Sequence, residues 1–199
     1  SRKSRRRWWI VYVFKDLGAY VENIAYPEAR IAQAIRGSIS SVESCVFHAE
    51  RVRARVDDMD PVVGPRMLGD MDRPAIEYAA ALRQTHALRR SQLAGSLRDI
   101  DILLTPTIPE PALPVAAFEK SLEDYASLSK RFSDNTATGN VLGLCGLSVP
   151  CGFSKSGLPI GLMIYAKPFA EDVLLRAGFA FEMVTEWNRH PDLGWITKS

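Results

Sequence analysis

The sequence predicts an α/β protein in which helices pack against a β-sheet. Stretches with helical spacing of apolar residues interleave with short strand-like runs along the 199-residue chain, an order typical of this class. The two runs 147–152 and 158–165 indicate a hairpin. Apolar residues make up 47% of the chain, which is enough for a hydrophobic core, and the charged fraction of 24% is ordinary for a globular domain.

The first 15 residues form an atypical segment, basic and then apolar, ahead of a domain that we place at residues 16–199. The basic run SRKSRRR precedes WWIVYVF. Those seven apolar residues are far fewer than the roughly 20 needed to span a bilayer, and no small-residue cleavage site follows them. We interpret Trp8–Phe14 as a strand or helix piece behind a basic end. A membrane or nucleic-acid tether is the weaker alternative.

A long helix is predicted between residues 28 and 58, after a strand at Tyr20–Ala25 that Pro27 ends. Apolar residues recur in the helix at three- and four-residue steps. We expect this stripe to face the core: Ile31, Ile35, Ile39, Val42, Val46, Ala49, Val52 and Val56. The prolines and glycines of Asp60–Asp72 then indicate a connecting loop.

A second helix is predicted to begin near Asp72, which can cap it, with Pro74 in the first turn. Its stripe comprises Ala75, Ala79, Leu82, His86, Leu93 and Leu97. A strand follows at 101–105. Four prolines between residues 106 and 114 make a stiff, extended loop, and residues 121–131 form a short helix.

The block from Asn135 to Tyr165 is the most informative part of the chain. It contains the two hairpin strands, with Gly157 supplying the turn between them. A final helix is predicted over Ala170–Trp187, because carboxylates stand in its first turn and apolar residues repeat with helical spacing. Its stripe comprises Val173, Leu174, Ala177, Phe181 and Val184.

This block contains three motifs in a fixed order: Thr136-x-x-x-Asn140, SVPCG at Ser148–Gly152, and GLPIGL at Gly157–Leu162. In order and spacing they resemble the amidase signature family. The run DIDILLTPT at Asp99–Thr107 resembles the family's D-x-L-L-T-P strand, and Leu17–Pro27 resembles its L-G-A-x-V strand more weakly. The resemblance covers roughly residues 14–190. It implies the C-terminal part of a mixed sheet flanked by helices, incomplete here, so that a sheet edge or face would lie exposed.

The resemblance also implies amide hydrolysis or transfer by a serine nucleophile, a second serine in a cis peptide, and a lysine. A serine hydroxyl needs a base to take its proton, and N–H groups of a Gly/Ser-rich loop stabilise the oxyanion. We do not find that tract. Its nearest imitation, RGSISS at Arg36–Ser41, falls within the first helix's periodicity, and a regular helix offers no free N–H cluster. No catalytic residue is therefore assigned.

Substrate-binding residues are predicted, by the same resemblance, in a loop from Asp134 to Asn140 that should face the substrate cavity. Asn135, Thr136 and Asn140 would hydrogen-bond a substrate amide or hold the backbone of the loop. For Asn140 the capping and turn role is the stronger interpretation.

Neither a metal nor a cofactor is predicted. The histidines His48, His86 and His190 are far apart in the sequence, and no cysteine pair has ligand spacing. We interpret His48 as a packing or half-exposed residue, His86 as a core residue and His190 as a residue of a terminal loop. A Ser/His/Asp site built on Ser148 has no support from spacing. The cysteines Cys45, Cys145 and Cys151 indicate reduced core residues and a cytoplasmic compartment.

The leading hypothesis is therefore the C-terminal portion of an amidase-type serine hydrolase that acts on carboxamide C–N bonds of small molecules, inactive alone because its catalytic centre is missing. The alternative is a non-catalytic assembly or binding module that completes a partner, either an N-terminal fragment or a second copy of the chain. A basic-tailed nucleic-acid binder is the weakest option, because residues 16–199 hold 19 basic against 23 acidic residues. We expect neither nucleic acid nor a membrane as partner.

Overall fold

The computed structural model describes residues 9–187, which form a small antiparallel β-sheet flanked by helices. The predicted α/β class is confirmed. In chain order the elements are α1 Trp9–Asp16, α2 Pro27–Arg55, α3 Val63–Asp70, α4 Ala75–Ala94, β1 Ile102–Pro106, α5 Leu122–Phe132, α6 Asp134–Leu142, β2 Cys145–Phe153, β3 Pro159–Ala166 and α7 Glu171–Met183.

The sheet has the strand order β1-β3-β2, and β3 pairs antiparallel with both neighbours. Ile102 of β1 and Cys145 of β2 both lie opposite Ala166. A bulge between Pro150 and Gly152 interrupts the ladder of the hairpin. The predicted hairpin and the predicted strand at 101–105 are thus confirmed, and Gly157 adopts a positive φ of 81° in the turn.

One face of the sheet packs against α1 and α7 and forms the main core. Phe181 of α7 is fully buried there, and its ring stacks on that of Phe14 with centroids 5.6 Å apart. Gly178 lets α7 approach β2 closely, because a Cβ at this position would overlap Leu147 Cδ2. From Trp9 onward the N-terminal apolar run is therefore a helix, one of the two forms expected for it, and its Phe14 belongs to this core.

The opposite face of the sheet carries α6, and α2 and α4 pack against that helix. A second cluster of buried residues joins these three helices: Ala32, Leu88, Val141 and Leu142. A third cluster, Cys45, Val52 and Met67, joins α2 to α3. Packing against α2 and α4 therefore holds α6 in place over the sheet.

Part of the predicted loop at 60–72 is the helix α3. Asp60 Oδ1 accepts hydrogen bonds from the N–H groups of Val62 and Val63, at 2.9 and 3.2 Å, and so satisfies donors at the start of the helix. Pro65 lies in the first turn, where proline is tolerated. Gly64 packs against the Val56 carbonyl oxygen, which a Cβ would approach to 2.9 Å. Pro65 and Gly64, which usually indicate a loop, therefore lie here in the first turn of a helix.

The predicted strand at Tyr20–Ala25 is not formed. This segment is irregular, it pairs with none of the described strands, and the Tyr20 side chain is 88% exposed.

The buried faces of both long helices differ from the predicted stripes. In α2 the buried residues are Glu28, Ala32, Cys45 and Val52, whereas Ile31 and Val46 are exposed. In α4 they are Ala81, Thr85, Leu88 and Gln92. The prediction of a core histidine at His86 is wrong, because this residue is exposed. The buried faces of both helices include polar residues, which a search for a stripe of apolar residues does not detect.

Candidate functional site

The predicted substrate-binding segment is a helix rather than a loop. α6 begins at Asp134, two residues after the last residue of α5, with Ser133 between them. The Ala137 N–H donates to the Ser133 carbonyl at 2.9 Å, and the Thr138 hydroxyl donates to the Asp134 carbonyl at 3.1 Å. These bonds close the first helical turn.

Asn135 joins α6 to the ends of two strands. Its carboxamide Nδ2 donates to the Pro106 carbonyl at the end of β1, at 2.8 Å. Its own main-chain carbonyl accepts from the Tyr165 hydroxyl of β3, also at 2.8 Å. Burial raises the pKa of Tyr165, so the phenol keeps the proton that it donates. Asn135 is thereby fixed on the sheet.

Thr136 and Asn140 have different partners. The Thr136 hydroxyl donates to the Ser133 carbonyl at 3.1 Å, within its own turn. Asn140 lies exposed in the last turn of α6, and its main-chain carbonyl is 3.4 Å from Arg89 Nη2. The structure therefore places Asn135 and Thr136 together at the start of the helix and Asn140 at its other end.

The start of α6 is held by two polar side chains of α2. Gln33 Nε2 donates both to the Asp134 carbonyl and to the Thr138 hydroxyl, each at 3.2 Å. Arg36 Nη1 lies 3.2 Å from Asp134 Oδ1. A carboxylate in the first turn also complements the helix dipole.

The end of α6 is held by two side chains of α4. Arg89 Nε donates to the Val141 carbonyl and Gln92 Nε2 to the Leu142 carbonyl, both at 2.8 Å. These carbonyls belong to the last turn, where a helix supplies no partner of its own. Gly143 then ends the helix in the left-handed conformation, with φ 69°.

Gln92 is in turn held by Tyr26, whose hydroxyl donates to Gln92 Oε1 at 2.6 Å. Burial and the neighbouring Glu28 carboxylate raise the pKa of Tyr26, so it remains a donor. Sequence reasoning missed Tyr26, Gln33, Arg89 and Gln92. The sequence signal for Gln33, Arg89 and Gln92 was that long polar side chains stand within the two predicted helices.

A pair of hydroxyl groups lies on the sheet beside Asn135. Thr107, the residue after Pro106, has its Oγ1 2.6 Å from Ser148 Oγ of β2. The Thr107 N–H donates to the Gly161 carbonyl of β3 at 3.0 Å. Ser148 is exposed, so the pair faces solvent. Sequence reasoning considered Ser148 only as a nucleophile and did not pair it with Thr107.

The RGSISS run at Arg36–Ser41 lies inside α2, as expected. The Ser40 hydroxyl donates to the Arg36 carbonyl at 3.0 Å, a contact typical of serine in the middle of a helix. The run forms no glycine-rich loop and presents no free backbone N–H groups.

Among residues 9–187 no group of three or more His, Cys, Asp or Glu side chains could hold a metal ion. His48 is half-buried, with its ring edge-on to that of Phe47, and His190 lies outside the described residues. All three cysteines are free thiols, and burial raises the pKa of Cys151 to about 11. No helix within the described part of the chain is long and apolar enough to cross a membrane.

Comparison with known proteins gives one consistent result. A family model described as Amidase matches residues 44–175. The chain is 32% identical over 202 residues to a glutamyl-tRNA(Gln) amidotransferase subunit of Geobacter sp. strain M21, covering 89% of this chain and 41% of that protein. It is 33% identical over 183 residues to an amidase of Pseudomonas putida, covering 90% of this chain and 39% of that protein.

A solved structure shares the fold. The crystal structure of an amidase superposes with a TM-score of 0.78 at 23% sequence identity, covering 93% of this chain and 42% of the other. The chain thus spans about two fifths of the length of the proteins that it matches.

Proposed function

The chain belongs to the amidase family, and from that premise we propose that it is the C-terminal part of a serine hydrolase that cleaves the C–N bond of small carboxamides. The observation that carries the proposal is the way α6 is held. Side chains from α2 and α4 bond both of its ends, and Asn135 is bonded to two strands. A helix fixed in this way can present Asn135, Thr136 and Asn140 to a bound amide without reorganisation.

We propose further that residues 16–199 serve as a partial domain, which supplies a scaffold and one wall of the substrate pocket, and that the chain alone does not turn over amides. Ser38, Ser40 and Ser41 are in the interior of α2, where the backbone forms no oxyanion loop. The free thiols support a cytoplasmic compartment.

A fluorogenic amide assay tests both parts of the proposal. The 199-residue chain is compared with the protein translated from any longer reading frame that contains it. We expect no turnover by the chain and turnover by a longer protein that adds a Gly/Ser-rich tract and a lysine. If the 199-residue chain hydrolyses the amide, and still does so after Ser38, Ser40, Ser41 and Ser148 are all changed to alanine, the proposed mechanism is wrong.

A second function, an assembly module, is favoured by the outer side of α7. Leu175, Phe179 and Met183 are spaced four residues apart, so they form one stripe, and they are 61%, 66% and 69% exposed. The Geobacter relative is itself one subunit of an amidotransferase by name. The partner that covers this stripe would be an N-terminal amidase fragment or a second copy of the chain.

Sedimentation of the chain alone, and with a co-expressed N-terminal fragment of an amidase, tests the second function. We expect a complex that the double change Leu175→Lys and Phe179→Glu dissociates. The change Arg176→Glu on the same helix is the control for added charge. A stable monomer under both conditions would exclude the assembly role.

A further inference from the structure

The hydroxyl groups of Thr107 and Ser148 meet above the middle strand of the sheet. Thr107 follows β1 and Ser148 lies in β2, and these two strands flank β3 without touching each other. Neighbouring strands are roughly 4.8 Å apart, so the backbones of β1 and β2 are separated by about twice that distance. Nevertheless, Thr107 Oγ1 and Ser148 Oγ are only 2.6 Å apart.

Gly161 of β3 makes this contact sterically feasible. A Cβ on Gly161 would lie 2.7 Å from Thr107 Oγ1 and 2.8 Å from Ser148 Oγ, closer than real Cβ atoms approach other heavy atoms. The Gly161 carbonyl also accepts the Thr107 N–H at 3.0 Å, which fixes the residue that carries one of the hydroxyls. The Gly161 backbone of β3 therefore makes room for the Thr107 and Ser148 hydroxyls and holds Thr107 in position.

The pair retains hydrogen-bonding capacity that no other side chain or backbone group of residues 9–187 uses. One hydroxyl donates to the other, so the pair keeps one O–H donor and several lone pairs, and Ser148 is open to solvent. The Pro106 carbonyl, which precedes Thr107, binds the Asn135 side chain. Thr107 therefore directly follows the residue whose carbonyl holds the candidate substrate helix.

We propose that the Thr107–Ser148 hydroxyl pair binds the carboxamide group of the substrate and thereby contributes to specificity. A carboxamide offers a carbonyl acceptor for the free O–H and N–H donors for the lone pairs, so both halves of the pair are used. A carboxylate offers acceptors alone and would leave the lone pairs unmatched, with no positive charge in the pair to compensate. The inference rests on the proposed function, because it assumes that this face of the sheet meets an amide.

Titration of the ¹⁵N-labelled 199-residue chain with butyramide, followed by NMR, tests the inference. We expect the amide signals of Thr107 and Ser148 to shift with butyramide and not with butyrate. The changes Thr107→Val and Ser148→Ala should each weaken binding roughly three- to tenfold, as expected for the loss of one hydrogen bond. Thr107→Ser keeps the hydroxyl and should keep the affinity.

The chain supplies a matched control. Ser154 and Ser156 form a second exposed hydroxyl pair, 2.9 Å apart, in the hairpin turn, so Ser156→Ala should leave butyramide binding unchanged. Butyramide affinity that is the same in wild type, Thr107→Val and Ser148→Ala, with folded spectra for all three, would overturn the inference. So would equal affinity for butyrate. Because binding is read without turnover, an inactive longer protein would contradict the proposed function and not the role of this pair.

Discussion

Tyr165 of β3 donates its phenolic hydrogen to the main-chain carbonyl of Asn135 in α6, at 2.8 Å. The same ring lies under Gly139, one helical turn further along, where a Cβ would overlap Tyr165 Cε1. A single aromatic residue thus sets both the height of α6 above the sheet and its position along the strand. The candidate substrate helix α6 is therefore expected to move together with the sheet.

Gly139→Ala should destabilise the protein, because the added methyl group collides with the Tyr165 ring and helix or strand must move. We expect a loss of about 1–3 kcal/mol in the free energy of unfolding, measured by urea titration. Gly37→Ala is the matched control. Gly37 also lies within a helix, but a Cβ there would meet nothing within 4 Å in residues 9–187 beyond its chain neighbours and its own helix backbone, so alanine should stabilise α2 by about 0.5–1 kcal/mol. Changes of equal sign at the two glycines would contradict this account.

Asn135→Ala should reduce stability by about 1 kcal/mol, since the Pro106 carbonyl loses its donor. Asn140→Ala in the same helix removes an exposed side chain and should change stability by less than about 0.5 kcal/mol. Thermal unfolding of the two variants makes the comparison. Identical melting temperatures would show that the Asn135 carboxamide does not hold the helix.

Gln92→Leu should be among the more damaging single changes in α4. The side chain is fully buried and bonds both the Tyr26 hydroxyl and the Leu142 carbonyl. Leucine leaves both groups without this partner, at a cost of about 1–3 kcal/mol for each group left unsatisfied. Gln84→Leu, at an exposed position of the same helix, should be nearly neutral by urea unfolding. A mild effect at Gln92 would mean that water replaces its bonds.

Stability should fall at alkaline pH through Cys151. Burial raises the pKa of its thiol from 9.0 to about 11 in the folded state, so between these values the folded chain binds more protons than the unfolded chain. The thiol's contribution is complete below about pH 9 and is lost as pH rises toward 11, by roughly 2–3 kcal/mol at most.

Cys151→Ala removes this titration and isolates its contribution. Urea unfolding at about pH 8 and about pH 10.5, on either side of the unfolded thiol's pKa, should show a smaller pH-dependent loss in the variant than in the wild type. Parallel losses in both proteins would assign the alkaline effect to other groups, such as Tyr26 and Tyr165, whose pKa values are also raised.

The hairpin and β1 were predictable because their signals are local. Residues 147–152 and 158–165 are short apolar runs bounded by turn residues, and the observed strands β2 and β3 account for both runs. The start of α3 was not predictable in the same way. Its glycine and proline normally indicate a loop, whereas Gly64 is needed here because a Cβ would lie 2.9 Å from the Val56 carbonyl oxygen.

The buried faces of α2 and α4 escaped prediction for a different reason. Their buried residues include Glu28 and Gln92, and the burial of a polar residue is favourable where it gains a hydrogen-bond partner. Glu28 meets the Ser96 hydroxyl at 2.9 Å and Gln92 meets α6. Those partners lie far away in the sequence. The substrate-binding role of Asn135 stays a prediction. Its segment is a helix, and the Tyr165 hydroxyl that bonds its carbonyl also comes from a distant part of the chain.

The strand order β1-β3-β2 has a consequence for the time course of folding. The central strand is the last of the three in the chain, and β1 and β2 share no hydrogen bonds with each other. Because synthesis proceeds from the N-terminus, no β-ladder among these strands can close until Pro159–Ala166 has left the ribosome. Until then, helices α2 to α4 can associate, but the sheet on which α6 rests does not exist. Nascent chains arrested before Pro159 should therefore remain sensitive to protease in the Ile102–Phe153 region.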